Sequence, residues 1–258
     1  MGIVNVTPDS FSDGGRYLDP ARALAHARRL LDDGADLIDV GGESTRPGSA
    51  EISAEEELAR VLPIVRALAG GGALVSVDTS KPQVMAAAIE AGAVMVNDVR
   101  ALRLPGAVET LAHTDAAVCL MHMQGEPRSM QQAPAYVDVV SEVRAFLGAR
   151  AQACVAAGVV RERIAIDPGF GFGKTLAHNL ALARGLATMA ALGYPVIAGW
   201  SRKSSLGALT GRPPGERLAA SIAAALACVA RGAAIVRVHD VRETIDALKI
   251  WTSLDGDT

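Results

Sequence analysis

Short apolar runs rich in Val and Ile alternate with longer segments of helical period built from Ala, Leu, Arg and Glu, eight times along the 258 residues. The runs at 2–6, 36–40, 73–77, 93–97, 116–121, 163–167, 195–198 and 234–238 predict strands. Because they are apolar throughout rather than alternating, they predict parallel strands covered on both faces. The segments at 20–33, 54–69, 82–91, 104–112, 136–157, 176–191, 216–230 and 242–254 predict helices. Start and stop signals agree: Ser53 stands three residues before Glu56, and Gly34, Gly92, Gly158, Gly193 and Gly232 follow predicted helix ends. Eight right-handed strand-helix crossovers in this length predict an α/β fold. The form expected is a closed (β/α)8 TIM barrel of parallel strands, a single domain over 1–258 with its active site at the C-terminal face. An open doubly wound sheet is the alternative architecture.

Nearly every predicted strand ends in a polar residue: Asn5, Asp39, Asp78, Asn97, the pair Met121-His122, Asp167, the run Ser201-Arg202-Lys203, and Arg237 with His239. Asp and Asn are common turn formers, but repetition at eight successive strand ends points to a site, because in a barrel those ends converge on one face. The stretch 164–175 concentrates the pattern. Its strand stops at Asp167 because Pro168 cannot donate to a ladder, and three glycines then hold Phe170 and Phe172 on a loop, predicting a flat apolar ligand surface beside an acid. The Gly173-Lys174 pair lacks the upstream glycine of a phosphate-binding P-loop, since Pro168 stands there, which rejects a nucleotide triphosphatase. The connections 7–19 and 41–51 are long for loops after barrel strands and predict lids over the mouth.

Composition narrows the partners. A chain that is 50% hydrophobic with mean hydropathy +0.26 can bury a large core, yet it has no apolar run near the length of a membrane span. A net charge of −3 with both signs interspersed gives no footprint for nucleic acid and favours a small-molecule partner. Cys119, Cys154 and Cys228 are far apart in Ala/Val/Leu surroundings and read as reduced core thiols; with no secretory leader in view, the expected compartment is the cytoplasm.

Asp78, Asn97, Asp167 and Lys203 would place two carboxylates, an amide and an ammonium at the mouth of an apolar pocket. That set complements a flat heterocycle such as an aminopyrimidinone, with N–H donors on one edge and a carbonyl beside them. An ion-pair network that merely fixes loops is the structural alternative. Arg46, Arg237 and His239 suit an anion, with diphosphate the natural ligand, and the Asn5 amide oxygen suits a hard cation such as Mg2+. In the run 199–204 a loop leads into a helix whose first N–H groups favour an anion, so Ser204 could meet a carboxylate, whereas a plain N-cap is an equal reading of Ser201.

Eight blocks carry a resemblance: Asn5-Val-Thr-Pro-Asp-Ser-Phe-Ser-Asp-Gly-Gly15, Asp39-Val-Gly-Gly-Glu-Ser-Thr-Arg-Pro-Gly48, Val77-Asp-Thr-Ser-Lys-Pro82, Asn97-Asp98, Met121-His-Met-Gln-Gly125, Asp167-Pro-Gly-Phe-Gly-Phe-Gly-Lys174, Ser201-Arg-Lys-Ser204 and Arg237-Val-His-Asp240. Together, in order and across essentially the whole chain, they closely resemble bacterial dihydropteroate synthases. The resemblance implies a transferase that joins 4-aminobenzoate to 7,8-dihydropterin-6-ylmethyl diphosphate, releasing diphosphate and forming 7,8-dihydropteroate in folate synthesis. It also implies a target of sulfonamides. Carried over residue by residue, Asp78, Asn97, Asp167 and Lys203 would hold the pterin with Met121 packed on it. Asn5, Arg46, Arg237 and His239 would hold the diphosphate, with Mg2+ at Asn5. Thr45, Pro47, Phe172, Lys203 and Ser204 would form the 4-aminobenzoate site. The catalytic set would be Lys203, Asp78, Asp167, Arg237 and His239.

The resemblance further implies a homodimer, in keeping with the Ala-rich segment 218–229, which is more apolar than a lone surface helix needs. Two other readings compete. A pterin-binding methyltransferase shares the acids but does not need the diphosphate set, and a non-catalytic pterin-binding paralogue would be expected to have eroded loops, whereas both long loops keep their motifs.

Overall fold

In the computed structural model, residues 1–7, 20–45 and 48–255 are described. Eight strands form one sheet in sequence order with every pairing parallel: β1 (Gly2–Asn5), β2 (Ile38–Gly41), β3 (Val75–Asp78), β4 (Met95–Asp98), β5 (Ala117–Met121), β6 (Ile164–Asp167), β7 (Val196–Ala198) and β8 (Ala233–Val236). The sheet curls far enough that β1 also meets the segment following β8. Gly2 bridges Val238 in parallel, Ile3 N donates to Val238 O at 3.1 Å, and Val238 N donates to Met1 O at 3.0 Å.

Period-two alternation sorts the strand residues into two layers. On one face Val4, Val40, Val77, Val96, Leu120, Ile166 and Val236 join the large cluster packed against the helices. On the other, Met1, Met95, Cys119, Ala165 and Ile197 form a small separate cluster. Two residues further along the same face stand Asn97, Met121, Asp167 and Gly199, so the inner surface passes from apolar to polar towards the strand C-termini. Eight strands with continuous apolar sequence thus satisfy two cores at once, and the polar layer above the inner one is the floor of the site.

The helices are α1 (Pro20–Asp32), α2 (Ala54–Gly70), α3 (Pro82–Glu90), α4 (Ala107–Ala112), α5 (Val139–Ala156), α6 (Leu176–Arg184), α7 (Leu186–Ala190), α8 (Ser204–Thr210), α9 (Leu218–Val229) and α10 (Val241–Asp255). Ser53 caps α2 as its position predicts, accepting from Glu56 N at 3.2 Å. Several boundaries differ from the sequence expectation by one to three residues, among them the helix start predicted at 104, which is observed at Ala107, and two differences have a visible cause. The helix predicted from 136 starts at Val139, because Asp138 accepts from Val140 N at 3.1 Å and Glu142 takes the amides of Val137 and Asp138 at 2.7 and 3.0 Å, closing the N-terminus there. The helix predicted over 176–191 is two, broken at Gly185, where any Cβ would stand 2.8 Å from Val140 Cγ1 on α5. Among the described residues no helix is long and apolar enough to cross a membrane, and the three cysteines are unbridged and buried.

Candidate active site

Four strand ends supply a connected polar group. The Arg237 guanidinium, just past β8, donates from Nε to Asp39 Oδ2 at 2.6 Å and from Nη2 to Asp78 Oδ2 at 2.9 Å. Asn97 on β4 donates from Nδ2 to the same Asp39 oxygen at 3.0 Å, which leaves its Oδ1 as the acceptor it can offer upward. Asp39 is fully buried, and its Oδ1 has no hydrogen-bond partner among the described residues. The strand-end pattern included Asp39 but gave it no role. In the structure it is the pivot on which Asn97 and Arg237 are both oriented.

Burial raises the Asp78 carboxyl to about 7, against the pull of Arg237 beside it, with Asp39 adding to the rise. Arg237 is itself held well above its ordinary value. Burial opposes its charge, but the charges of Asp39 and Asp78 outweigh that penalty. Asn5 closes the group on one side: a Cβ at Gly41 would meet Asp78 Cβ at 3.4 Å and Asn5 Oδ1 at 3.5 Å, so Gly41 lets the two strand ends lie close together.

Asp167, Lys203, Met121 and Phe172 form a second group, which adjoins the first where Asp167 and Arg237 both come close to Gly199. Asp167 is buried and accepts from Gly169 N at 2.7 Å. Burial raises its pKa while Lys203 and the Gly169 amide hold it down. Lys203 donates to Phe170 O and places Nζ 4.4 Å from the centroid of the Phe172 ring. Burial lowers its pKa to about 8, with Asp167 opposing the fall. Met121 pairs in register with Asp167 and packs in a cluster with Val99, Met123 and Met130, against which the half-buried Phe172 rests. Phe170 departs from the expected ligand surface. It is fully buried and stacked on Trp200, with centroids 4.5 Å apart and planes inclined by 5°, because the glycines on either side turn alternate aromatic rings in opposite directions.

His239 stands beside Ser201, whose Oγ lies 3.0 Å from His239 Nδ1 and 3.2 Å from its backbone N. Ser201 is therefore no N-cap; α8 is entered at Lys203 without a side-chain cap, and the exposed Ser204 is its first residue. Thr45 lines a cavity of about 470 Å³ together with Asp78, Glu43, Lys81, Val99 and Arg100. The loop that carries Thr45 is anchored by Glu43 and Glu57, both paired to Lys81, and by Arg100, which meets Glu51 at 3.0 Å and also pairs with Glu126. Arg46 and Pro47 lie outside the described residues, as does the first long loop beyond Thr7.

One buried cation escaped sequence reasoning, which weighed Lys174 only as a failed P-loop lysine. Its Nζ lies 2.9 Å from His122 Nδ1, donates to Phe172 O at 2.9 Å and to His122 O at 3.3 Å, and thereby ties the loop after β6 to the loop after β5. Burial lowers Lys174 to about 7 and His122 to about 3, so at neutral pH the imidazole is uncharged and Nδ1 accepts from the amine. The unfolded chain keeps the lysine proton up to its ordinary value of 10.5, whereas the folded chain releases it from about 7. Over that window the unfolded state binds more protons, so this group makes stability rise with pH. The Lys174→Met variant is expected to lose that rise, measured as the difference in urea-unfolding free energy between the two proteins from pH 7 to 10. Parallel pH curves would count against the buried amine.

The comparisons with known proteins bear directly on this arrangement. A family model described as pterin binding enzyme matches residues 1–239. Dihydropteroate synthase of Neisseria meningitidis serogroup B is 55% identical over 261 residues, covering 98% of this chain and 92% of its own length. The chain belongs to the dihydropteroate synthase family of pterin-binding enzymes. A solved structure of the Xanthomonas albilineans dihydropteroate synthase with 4-aminobenzoic acid is 52% identical and superposes with a TM-score of 0.95, covering 100% of this chain and 93% of that one. The same enzyme in complex with 7,8-dihydropteroate gives a TM-score of 0.91 at 49% identity, covering 100% of this chain and 94% of that one. As a dihydropteroate synthase family member, the chain carries its two carboxylates, its amide and its cations at the strand ends where the sequence blocks fall.

Proposed function

We infer that this protein is a dihydropteroate synthase, joining 4-aminobenzoate to 7,8-dihydropterin-6-ylmethyl diphosphate with release of diphosphate. The observation that carries the reading is the gathering of two polar groups at the strand C-termini: Asp78 and Asn97 held by Arg237 and Asp39, and Asp167 with Lys203 and Phe172, the two adjoining where Asp167 and Arg237 both come close to Gly199. Relatives about 50% identical bear that name, and one is known with the product. We read the sheet as a closed (β/α)8 barrel forming one domain, a closure supported by the hydrogen bonds from β1 to Val238.

In this reading Asp167 and Asn97 accept from the N–H edge of the pterin, Met121 supports its face, and Lys203 over Phe172 spans from the pterin to the 4-aminobenzoate. Asp78 takes a further ring N–H while remaining bonded to Arg237. Arg237 and His239, with Arg46, take the diphosphate, and Thr45, Pro47, Phe172 and Ser204 line the 4-aminobenzoate site. The donor set also fits Mg2+. The Asn5 amide oxygen, which comes close to Asp78 across Gly41, is the kind of hard donor that a cation sharing its shell with water and substrate phosphate takes. Held at Asn5, Mg2+ would neutralise charge on the diphosphate. The homodimer is likewise part of this proposal, as is the cytoplasmic setting.

The groups of the site favour departure of diphosphate ahead of attack. The amine of 4-aminobenzoate is a weak nucleophile, whereas Arg237 and His239 are placed where leaving charge develops and Asp78 and Asp167 where positive charge spreads over the pterin. With both substrates and Mg2+, diphosphate and dihydropteroate are expected in equal amounts. With the pterin substrate and Mg2+ alone, slow diphosphate release is expected, and the rate with substituted arylamines should depend only weakly on their basicity. A sulfonamide should compete with 4-aminobenzoate. Absence of diphosphate in the complete mixture would overturn the assignment itself, while a steep dependence on basicity would overturn only the order of events.

A further inference from the structure

We propose that Ser201 is a positioning residue that holds His239 as the neutral imidazole tautomer with its hydrogen on Nε2. A serine hydroxyl has one hydrogen to give and two lone pairs to receive with. At Ser201 one lone pair is taken by the His239 backbone N–H at 3.2 Å, which fixes the hydroxyl oxygen as an acceptor in that contact. The second neighbour of Oγ is His239 Nδ1 at 3.0 Å. No other acceptor for the Ser201 hydroxyl hydrogen occurs among the described residues, and the side chain is buried, so water cannot readily take that hydrogen.

If Nδ1 carried a hydrogen, Ser201 Oγ would accept twice and its own O–H would be buried with nothing to bond to, which is the costly arrangement. If instead the hydroxyl donates to Nδ1, every polar atom in the contact is satisfied. The ring is then an acceptor at Nδ1 and a donor at Nε2, the division of roles by which a partner on one ring nitrogen fixes what the other can do. The same serine pins the ring through two points, backbone and side chain of one residue, so orientation and tautomer are set together. The neighbouring residues reinforce its place. Arg202, in a left-handed conformation with φ 57°, donates from its backbone N to Ser221 Oγ at 3.0 Å and from Nε to Asp240 Oδ2 at 2.9 Å, tying the Ser201 turn to the residue after His239. A helix cap is one of the readings the sequence offers for Ser201, and the structure gives that hydroxyl a different partner.

The consequence for the reaction rests on the proposed function, in which His239 meets diphosphate as a hydrogen-bond donor. The test separates the two. In protein labelled with 15N-histidine, the His239 ring at pH 7.5 is expected to show an unprotonated Nδ1 and a protonated Nε2. Ser201→Ala should give a mixture of tautomers, and Ser201→Thr, which keeps the hydroxyl, should restore the single one. Inorganic diphosphate affinity in the presence of Mg2+ should fall about 5- to 10-fold in Ser201→Ala, the scale of one hydrogen bond, and recover in Ser201→Thr. A wild-type ring protonated on Nδ1, or a tautomer ratio indifferent to Ser201→Ala, would overturn the proposal. A tautomer that changes while diphosphate affinity does not would uphold Ser201 as the positioning residue and refute His239 as a diphosphate donor.

Discussion

The Arg237→Met variant is expected to lose both stability and turnover. Methionine keeps the unbranched stem but removes the charge, leaving the fully buried Asp39 with only the Asn97 amide and Asp78 with no counter-charge in contact. Breaking a buried pair by deleting one partner costs about 3–5 kcal/mol, because the remaining charge is stranded. In a chain of this size that corresponds to a fall in Tm of roughly 10 °C. Asp78 should protonate more readily still, since Arg237 is the group that holds its carboxyl down to about 7. Loss of a preorganised cation from the leaving-group side is expected to reduce kcat by on the order of 10²- to 10³-fold. The double variant Arg237→Met with Asp39→Asn isolates the cause, since neutralising the stranded acid should recover most of the lost stability and none of the activity. If the second substitution leaves the Tm of Arg237→Met unchanged, the coupling of Asp39 to Arg237 is not what stabilises this end of the sheet.

That coupling also shows where sequence reading stops. Strand positions were legible because a parallel strand covered on both faces must be apolar throughout, and the polar residue that ends each run was legible because the pattern breaks there. Helix starts were legible where a local side chain does the work, as at Ser53. The pairing of Asp39 with Arg237 joins residues from β2 and the end of β8, brought together by the curl of the sheet, and nothing in either local sequence specifies which acid takes which guanidinium nitrogen. Lys174 was hidden for the same reason, its partner His122 lying on the neighbouring strand's loop. The two Phe residues of the stretch 164–175 are identical in type and two apart, yet one is core and the other faces Lys203; the choice is made by the backbone angles of Gly169, Gly171 and Gly173, which sequence allows but does not dictate. The helix predicted over 176–191 runs straight through Gly185, since the close approach of Val140 is a property of α5 packing rather than of the local sequence.

The same loop yields the second large effect. Gly169 has φ +68°, and a Cβ built on it would lie 1.9 Å from the carbonyl oxygen of His122, with Lys174 Nζ at 3.4 Å. The first obstacle is backbone, which has no rotamer to escape through, so either the loop after β6 or the loop after β5 must shift. Either movement breaks the Gly169 N–H bond to Asp167 and the grip of Lys174 on both loops, and with them the placement of Asp167 and Phe172. Left-handed strain alone is a smaller matter, about 1–2 kcal/mol for a residue with a Cβ. Gly72 separates the two contributions: its φ is +84°, but nothing lies within 4 Å of a Cβ built there, so Gly72→Ala reports the strain without the collision. The expected result is a fall in Tm of a few degrees for Gly72→Ala with normal turnover. For Gly169→Ala the expected loss is at least about 4 kcal/mol, the range reserved for forced rearrangement. Any folded fraction recovered at low temperature should bind the pterin substrate on the order of 10²-fold more weakly, since a charge-assisted hydrogen bond and the orientation of its acid are both lost. Equal thermal shifts for the two alanine variants would mean that the loop yields freely at Gly169, and that Asp167 is not held in place by the contact between the two loops.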